Sequence, residues 1–419
     1  MIFAIFLTFV LIAFAVLAWQ DLKFALILLC GLTPTYLVRF DVGPIPTTLL
    51  ECLLLITLAT FVIRYRSRLL TWTKRKPKFT LASISLILIA ISSIVAVVIA
   101  PNHISALGIW KAYYLEPFLF AVIAYSRFDR TDYKKLFIAL CTSGIVVALF
   151  AIIQVTFHIG IPEAWITENR ATSFFPYPNA VGLLLAPIVS AMIAFLSTSP
   201  DPSLLRRGVR GRNGILVVAA LFLVTIGLAK TEAALVAIPT ALFIVAIMTP
   251  LITKKTKILG TIGAATVFLF IFTFLPTIAS KLTLNDASGL VRRTQWSETL
   301  HMLADHAYLG VGLNGYPTAL VPYHNPTLYE IFQYPHNIFL NVWSELGLIG
   351  LIGLIGLMSF SLHFTWQNKK DPWVLACFAA LLTMFIHGLV DVPFSKNDLA
   401  IMTALFCVAM ITKKSSKES

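Results

Sequence analysis

Charge is scarce in this sequence. Of its 419 residues 12% are charged and 58% hydrophobic, with a mean hydropathy of +0.87. A soluble domain is about a quarter charged, so this composition excludes an ordinary cytoplasmic enzyme. The cysteines are few, odd in number and without a C-x-x-C pair. Cys30, Cys52, Cys141, Cys377 and Cys407 all lie within apolar runs. That is the pattern of small buried hydrophobes, not of a disulfide framework or a metal site. The first apolar run, Ile2 to Ala18, has no basic leader and no convincing A-x-A cleavage site, so it reads as a retained span. No internal repeat is evident.

What is present is apolar sequence in long runs, near 2–18, 24–38, 46–63, 80–100, 106–125, 137–157, 179–197, 214–230, 233–251, 259–278, 337–364, 373–390 and 398–412. Runs of this length predict transmembrane helices. The expectation is an all-α polytopic membrane protein, one integral domain over 1–419 with 12–13 spans. The first two runs share a short link and are the ones whose crossing is in question. Net charge is +13, and 24 of the 32 basic residues fall on alternate links, seven of them within 64–79. By the positive-inside rule those links face the cytoplasm. Their role is topology, and with no folded domain among them nucleic-acid binding is excluded.

Eight basic residues run against this bias: Arg39, Lys111, Arg170, Lys230, Lys281, Arg292, Arg293 and Lys396. A charge at membrane depth costs roughly 2.5–3.5 kcal/mol on insertion scales, so these are the positions expected to have a partner or a task. Lys111 and Glu116 are about 140° apart on one helix and cannot pair within it; they and Glu51 are expected to reach other helices or line a cavity. Gly347, Gly350, Gly353 and Gly356 step about 60° at a time and form a slanting smooth ridge for helix contact.

Two outward loops are long, 158–178 and 279–336. Loops of that length are usually functional or disordered, and the aromatic, amphipathic content of the second favours function. Within it, Asp286 or Ser288 can cap a helix that puts Arg292, Trp296, Leu300 and Leu303 on one face, suited to a membrane surface. Arg293 points about 100° away. His336 stands where this loop meets the next span, followed by Asn337 at the helix start and Glu345 within the apolar run. An imidazole there has the chemistry of a general base.

"PHNIFLNVWSELGLIG" (335–350), "VRRTQW" followed by "GVGLNGY", and "RATSFFPYPNAVG" (170–182) together resemble the O-antigen ligase and O-antigen polymerase family of bacterial envelope glycosyltransferases. The resemblance covers roughly 165–365. It implies a GT-C-like fold and a metal-independent, inverting transferase in the bacterial cytoplasmic (inner) membrane. The donor would be a glycan on a polyprenyl diphosphate at the outer face, and the reaction would need no cofactor. His336 matches the family's essential histidine, and Arg292 its loop arginine, which holds the diphosphate. In "KTEAALVAI" (230–238) Thr231 and Glu232 stand where the family has Ser and Arg, so a second phosphate-binding arginine is missing. Lys230 could supply that charge or pair with Glu232. An ammonium has no bidentate fork, so the exchange is not neutral.

The chemistry agrees independently. A departing diphosphate needs a divalent metal or fixed cations. The outer acids contain no D-x-D pair for a metal, whereas Arg170, Lys230, Arg292 and Arg293 are candidate cations. A lipid core, a growing polysaccharide or a protein hydroxyl would each serve as acceptor, which leaves ligase, polymerase and protein glycosyltransferase open. The rival is a polyprenyl-linked glycan flippase or other transporter, which would show charges along many spans and internal symmetry.

Overall fold

The computed structural model describes residues 2–43, 45–73, 80–199, 211–274, 280–281 and 283–412. The basic links at 74–79, 200–210 and 413–419 lie outside the described residues. The chain is helical, with one small hairpin among the described residues. Helices α1 (Ile2–Gln20) and α2 (Leu22–Gly31) lead into a 3-10 turn at Thr33–Leu37. Strands β1 (Arg39–Val42) and β2 (Ile45–Thr48) then pair antiparallel, Arg39 opposite Thr48. Next come α3 (Leu49–Thr73), α4 (Leu81–Val98), α5 (His103–Trp110), a π turn at Lys111–Leu115 and α6 (Glu116–Arg127). After α7 (Arg130–Phe157), α8 (Glu163–Ile166) and α9 (Asn179–Thr198) follow α10 (Arg212–Leu228), α11 (Glu232–Met248) and α12 (Lys254–Phe274). The 279–336 loop holds α13 (Ala287–His306) and α14 (Tyr316–Leu320). Then α15 (Ile338–Gln367), α16 (Pro372–His387) and α17 (Asn397–Ile411) complete the described chain.

This is an all-α polytopic membrane protein. Among the described residues six helical stretches are long and apolar enough to cross a bilayer, and α2, α10, α11, α16 and α17 are shorter apolar helices of 10–17 residues. The run at 24–38 differs from its expectation. Only ten residues form α2, a rise of about 15 Å against a hydrocarbon core of about 30 Å. Thr33 and Pro34 turn the chain before it can cross alone.

Helix α9 is the centre, with 16 of its 20 residues buried. A helix apolar all round belongs inside a bundle, and α9 packs against α10, α11 and α16. Thr383 on α16 donates to Ser190 on α9 at 2.6 Å. Because α9 begins at Asn179 and α16 ends at His387, the two central helices deliver these side chains to the same end of the bundle. Lys111 reaches out of its π turn to pair with Glu51 on α3. The π turn puts one extra residue into that span, which rotates the side chains on either side of it relative to a regular helix.

The glycine ridge packs on α4: a Cβ on Gly353 would stand 2.7 Å from the Ile89 side chain. Gly347 behaves differently. Its φ of +70° interrupts α15, because the turn around Gly310 packs on it backbone to backbone. Val311 donates to the Ser344 carbonyl at 2.6 Å, Leu348 to that of Tyr308 at 3.1 Å, and a Cβ on Gly310 would stand 2.8 Å from the Gly347 nitrogen. Gly347→Ala should therefore cost at least about 1–3 kcal/mol from the left-handed backbone alone. A thermal melt of the detergent-purified protein would show it, and an unchanged midpoint would remove the constraint.

Asp286 caps α13, its side chain accepting from Gly289 N at 3.0 Å. The face expected to lie on the membrane divides. Leu300 is 50% exposed but Leu303 only 1%, because Leu303 joins Met302, Val311, Tyr316 and Leu320 in a small core that the loop makes for itself.

Candidate functional site

His336 has φ +48°, a left-handed conformation that a non-glycine residue keeps only when its surroundings hold it. They do so from both sides. On α13, Gln295 donates to the Tyr334 carbonyl and Trp296 to the Pro335 carbonyl, each at 2.9 Å. Beyond His336, Asn337 caps α15 by accepting from Phe339 N at 3.0 Å and Leu340 N at 3.1 Å. The same residue's amide donates to the Leu389 carbonyl at 3.0 Å, and Ile338 N to that of Gly388 at 2.7 Å. Segment 388–396, between α16 and α17, is thus stitched beneath the imidazole.

That stitching brings in a residue not singled out from the sequence. Asp391 Oδ1 is 3.7 Å from His336 Nδ1, with the imidazole 23% exposed and the carboxylate 3%. The separation is longer than a hydrogen bond and close enough for a strong electrostatic contact. Asp391 also accepts from Val392 N at 2.8 Å and from the Asn179 amide at 3.4 Å. Burial raises its pKa, but the His336 ring, His387 and the Val392 N–H outweigh it, and the carboxyl is held below its ordinary value. Phe332 and Tyr334 meet the His336 ring edge-on at 5.2 and 4.9 Å. The imidazole therefore sits in an aromatic collar with one ring nitrogen toward a buried carboxylate.

Asn179 extends the connection, since its side-chain oxygen accepts from Arg170 at 3.3 Å. Arg170 is tied down further: Nε donates to the Ala229 carbonyl at 3.1 Å, Nη2 to that of Lys230 at 3.3 Å, and Nη1 lies 3.8 Å from Glu168. Burial lowers its pKa, and its guanidinium lies over Trp165 at 4.9 Å. Arg170 knits the 158–178 loop to the α10–α11 turn and leads, through Asn179 and Asp391, to His336.

The other expected residues have individual places. Arg292 donates to Ser288 at 2.6 Å, while its Nε is shielded from solvent without a partner among the described residues. Arg292 also acts electrostatically on His387, whose Nε2 is buried and has no hydrogen-bond partner among the described residues. Arg293 is exposed. Lys230, with φ +49°, donates to the Glu168 carbonyl at 2.6 Å. Glu232 pairs with Lys281 and not with Lys230. Glu345 accepts from Asn314 N at 3.3 Å and Asn341 at 3.4 Å, so it clamps the glycine turn to α15 at some remove from His336. Among the described residues no three His, Cys, Asp or Glu side chains group as a metal site would require.

The structure thus draws His336, Asp391, Asn179 and Arg170 into one chain of contacts, with His387 and Arg292 beside it. Residues 217–355, about a third of the chain, match the family model described as O-antigen ligase. This segment is what the chain shares with the O-antigen ligase family. No curated protein matches it. The family is one of ligase-type enzymes that transfer glycans between lipid-linked donors and acceptors. The matched segment spans Lys230 to Glu345 and so includes Arg292 and His336, while Arg170, Asn179 and Asp391 lie outside it.

A signal for the missed residues was present. Asp391 is an acid on a short link whose side carries few basic residues, and Asn179 closes the "PYPN" that opens α9. Neither is distinctive alone, because the pairing becomes visible only when α9 and α16 lie side by side.

Proposed function

We propose that this protein transfers a glycan from a polyprenyl diphosphate to a hydroxyl acceptor at the extracytoplasmic side of the bacterial cytoplasmic membrane, with inversion. The observation that carries the reading is the His336–Asp391 contact. A carboxylate facing Nδ1 favours the tautomer with its proton there and leaves Nε2 as the base. Nε2 takes the acceptor hydroxyl proton as that oxygen attacks the anomeric carbon. The bond from the anomeric carbon to the phosphate oxygen breaks, and its electron pair leaves with the diphosphate. The imidazolium formed is balanced by Asp391.

Charge developing on the diphosphate needs fixed cations aimed at it. Arg292 is the best placed, with a shielded and unpartnered Nε. Arg293 and Lys230 are exposed and can close over a bound phosphate, whereas Arg170 has most of its donors engaged. Trp296, Asn337, Glu345 and Glu232 act as supports. Arg292→Gln should weaken donor binding by about tenfold or more, as the loss of a charge-assisted hydrogen bond predicts. Lys230→Gln should weaken it less, and Lys230→Arg should be tolerated. Donor titration of the four proteins separates these outcomes, and equal affinities would make both residues structural.

The test of the whole reading is a reconstituted transfer assay with a polyprenyl-diphosphate oligosaccharide and EDTA. Product that forms despite chelation supports fixed cations, and loss on chelation overturns that part of the mechanism. A ladder identifies a polymerase, and one shifted band identifies a ligase.

A further inference from the structure

Two cations at this end of the bundle have no place in the mechanism above. Lys396 precedes α17, and its Nζ stands 3.7 Å over the ring of Tyr177. Arg39 opens β1, next to the 3-10 turn that packs against α17. Neither makes an ion pair or a side-chain hydrogen bond to another described residue. They act on each other as like charges, with Asp398 the acid that acts on Lys396. Asp398 accepts from its neighbour Leu399 N at 2.9 Å and forms no ion pair with Lys396 among the described residues. The Tyr177 hydroxyl is shielded from solvent and has no hydrogen-bond partner among the described residues. The Lys396 ammonium, partly desolvated against a ring, and the hydroxyl beside it would both gain from a bound anion, on which the exposed Arg39 could close.

The place of this cluster decides what the anion belongs to. Tyr177 is two residues before Asn179, at most about 7 Å along the chain, and Lys396 shares with Asp391 the segment between α16 and α17. The cluster therefore adjoins the His336 site. The donor cation Arg292 neighbours His387 on α16, whereas Arg39 neighbours Lys396. Inverting displacement puts the acceptor oxygen and the departing diphosphate on opposite faces of the anomeric carbon. One cation group cannot serve both.

We infer that Lys396 and Arg39, with the Tyr177 hydroxyl, form an acceptor subsite that binds a phosphate or carboxylate group on the acceptor glycan. This deepens, and rests on, the transferase reading. Burial lowers the Lys396 pKa to about 8, with Asp398 opposing and Arg39 adding to the shift, so the ammonium is still mostly charged at neutral pH.

The experiment measures binding without donor, so it does not depend on turnover. The full chain in nanodiscs of neutral lipid is titrated with a fluorescent phosphorylated oligosaccharide and with its phosphatase-treated counterpart. Wild type should bind the phosphorylated probe about tenfold or more tightly than the other. Lys396→Gln and Arg39→Gln should lose that preference, and Lys396→Arg should keep it. Equal binding of the two probes by wild type, or an undiminished preference in both Gln variants, overturns the subsite. If anionic lipid in the nanodisc abolishes the preference, the occupant is a lipid headgroup and the acceptor assignment fails. A preserved preference in a protein that transfers no glycan sinks the transferase reading alone.

Discussion

His336→Ala should lower glycan transfer by about 10²–10⁴-fold, the range that a positioned general base supplies, with the protein still inserted and folded. The expectation of a stable fold has a structural basis. The imidazole is partly exposed, its Nδ1 has no hydrogen-bond partner among the described residues, and what shapes this turn is backbone: the Tyr334 and Pro335 carbonyls held by Gln295 and Trp296. Alanine removes a ring from the collar of Phe332 and Tyr334 and leaves those bonds in place. Single-turnover assays with saturating donor and acceptor would separate the base from a binding role. A variant that keeps near-normal turnover would remove His336 from the mechanism.

Asp391→Asn should also reduce kcat, by about 10²–10⁴-fold, with KM for donor and acceptor little changed. The amide is nearly the shape of the carboxylate and can still accept from Val392 N. What it loses is the charge that favours a proton on Nδ1 and stabilises the imidazolium, and removing the orienting acid of a histidine base has effects of that size. Acid stability gives a second readout. The folded-state pKa of Asp391 is depressed, so its charged form stabilises the fold. That contribution is complete above its unfolded value near pH 4 and is lost as the pH falls through the lower folded value. Melting midpoints of wild type should therefore fall more steeply than those of Asp391→Asn as the pH drops below about 4. Parallel curves, with unaltered kcat, would show that the 3.7 Å contact is incidental.

Much of the architecture is written locally. Long apolar runs and the bias of basic residues report on bilayer thickness and orientation, which act on each segment separately, so spans are legible without knowing their neighbours. The same holds for Asp286 as a helix cap and for His336 and Asn337, which share one short motif at a helix start. Arg292 stands out in the same way, as a cation on the wrong side of a charge bias.

Contacts between distant segments are a different matter. Nothing in the chain order joins Asn179 or Asp391 to His336; they meet because α9 and α16 pack at the centre and end at the same level. Glu232 is two residues from Lys230 and pairs with Lys281 instead, because the left-handed backbone at Lys230 turns its ammonium to the Glu168 carbonyl. The glycine ridge was legible as a ridge, but the interruption at Gly347 was not, since it arises from the Gly310 turn pressing on α15. Periodicity describes a helix as if it stood alone, and these positions take their conformation and charge partners from chain that is remote in sequence and adjacent in space.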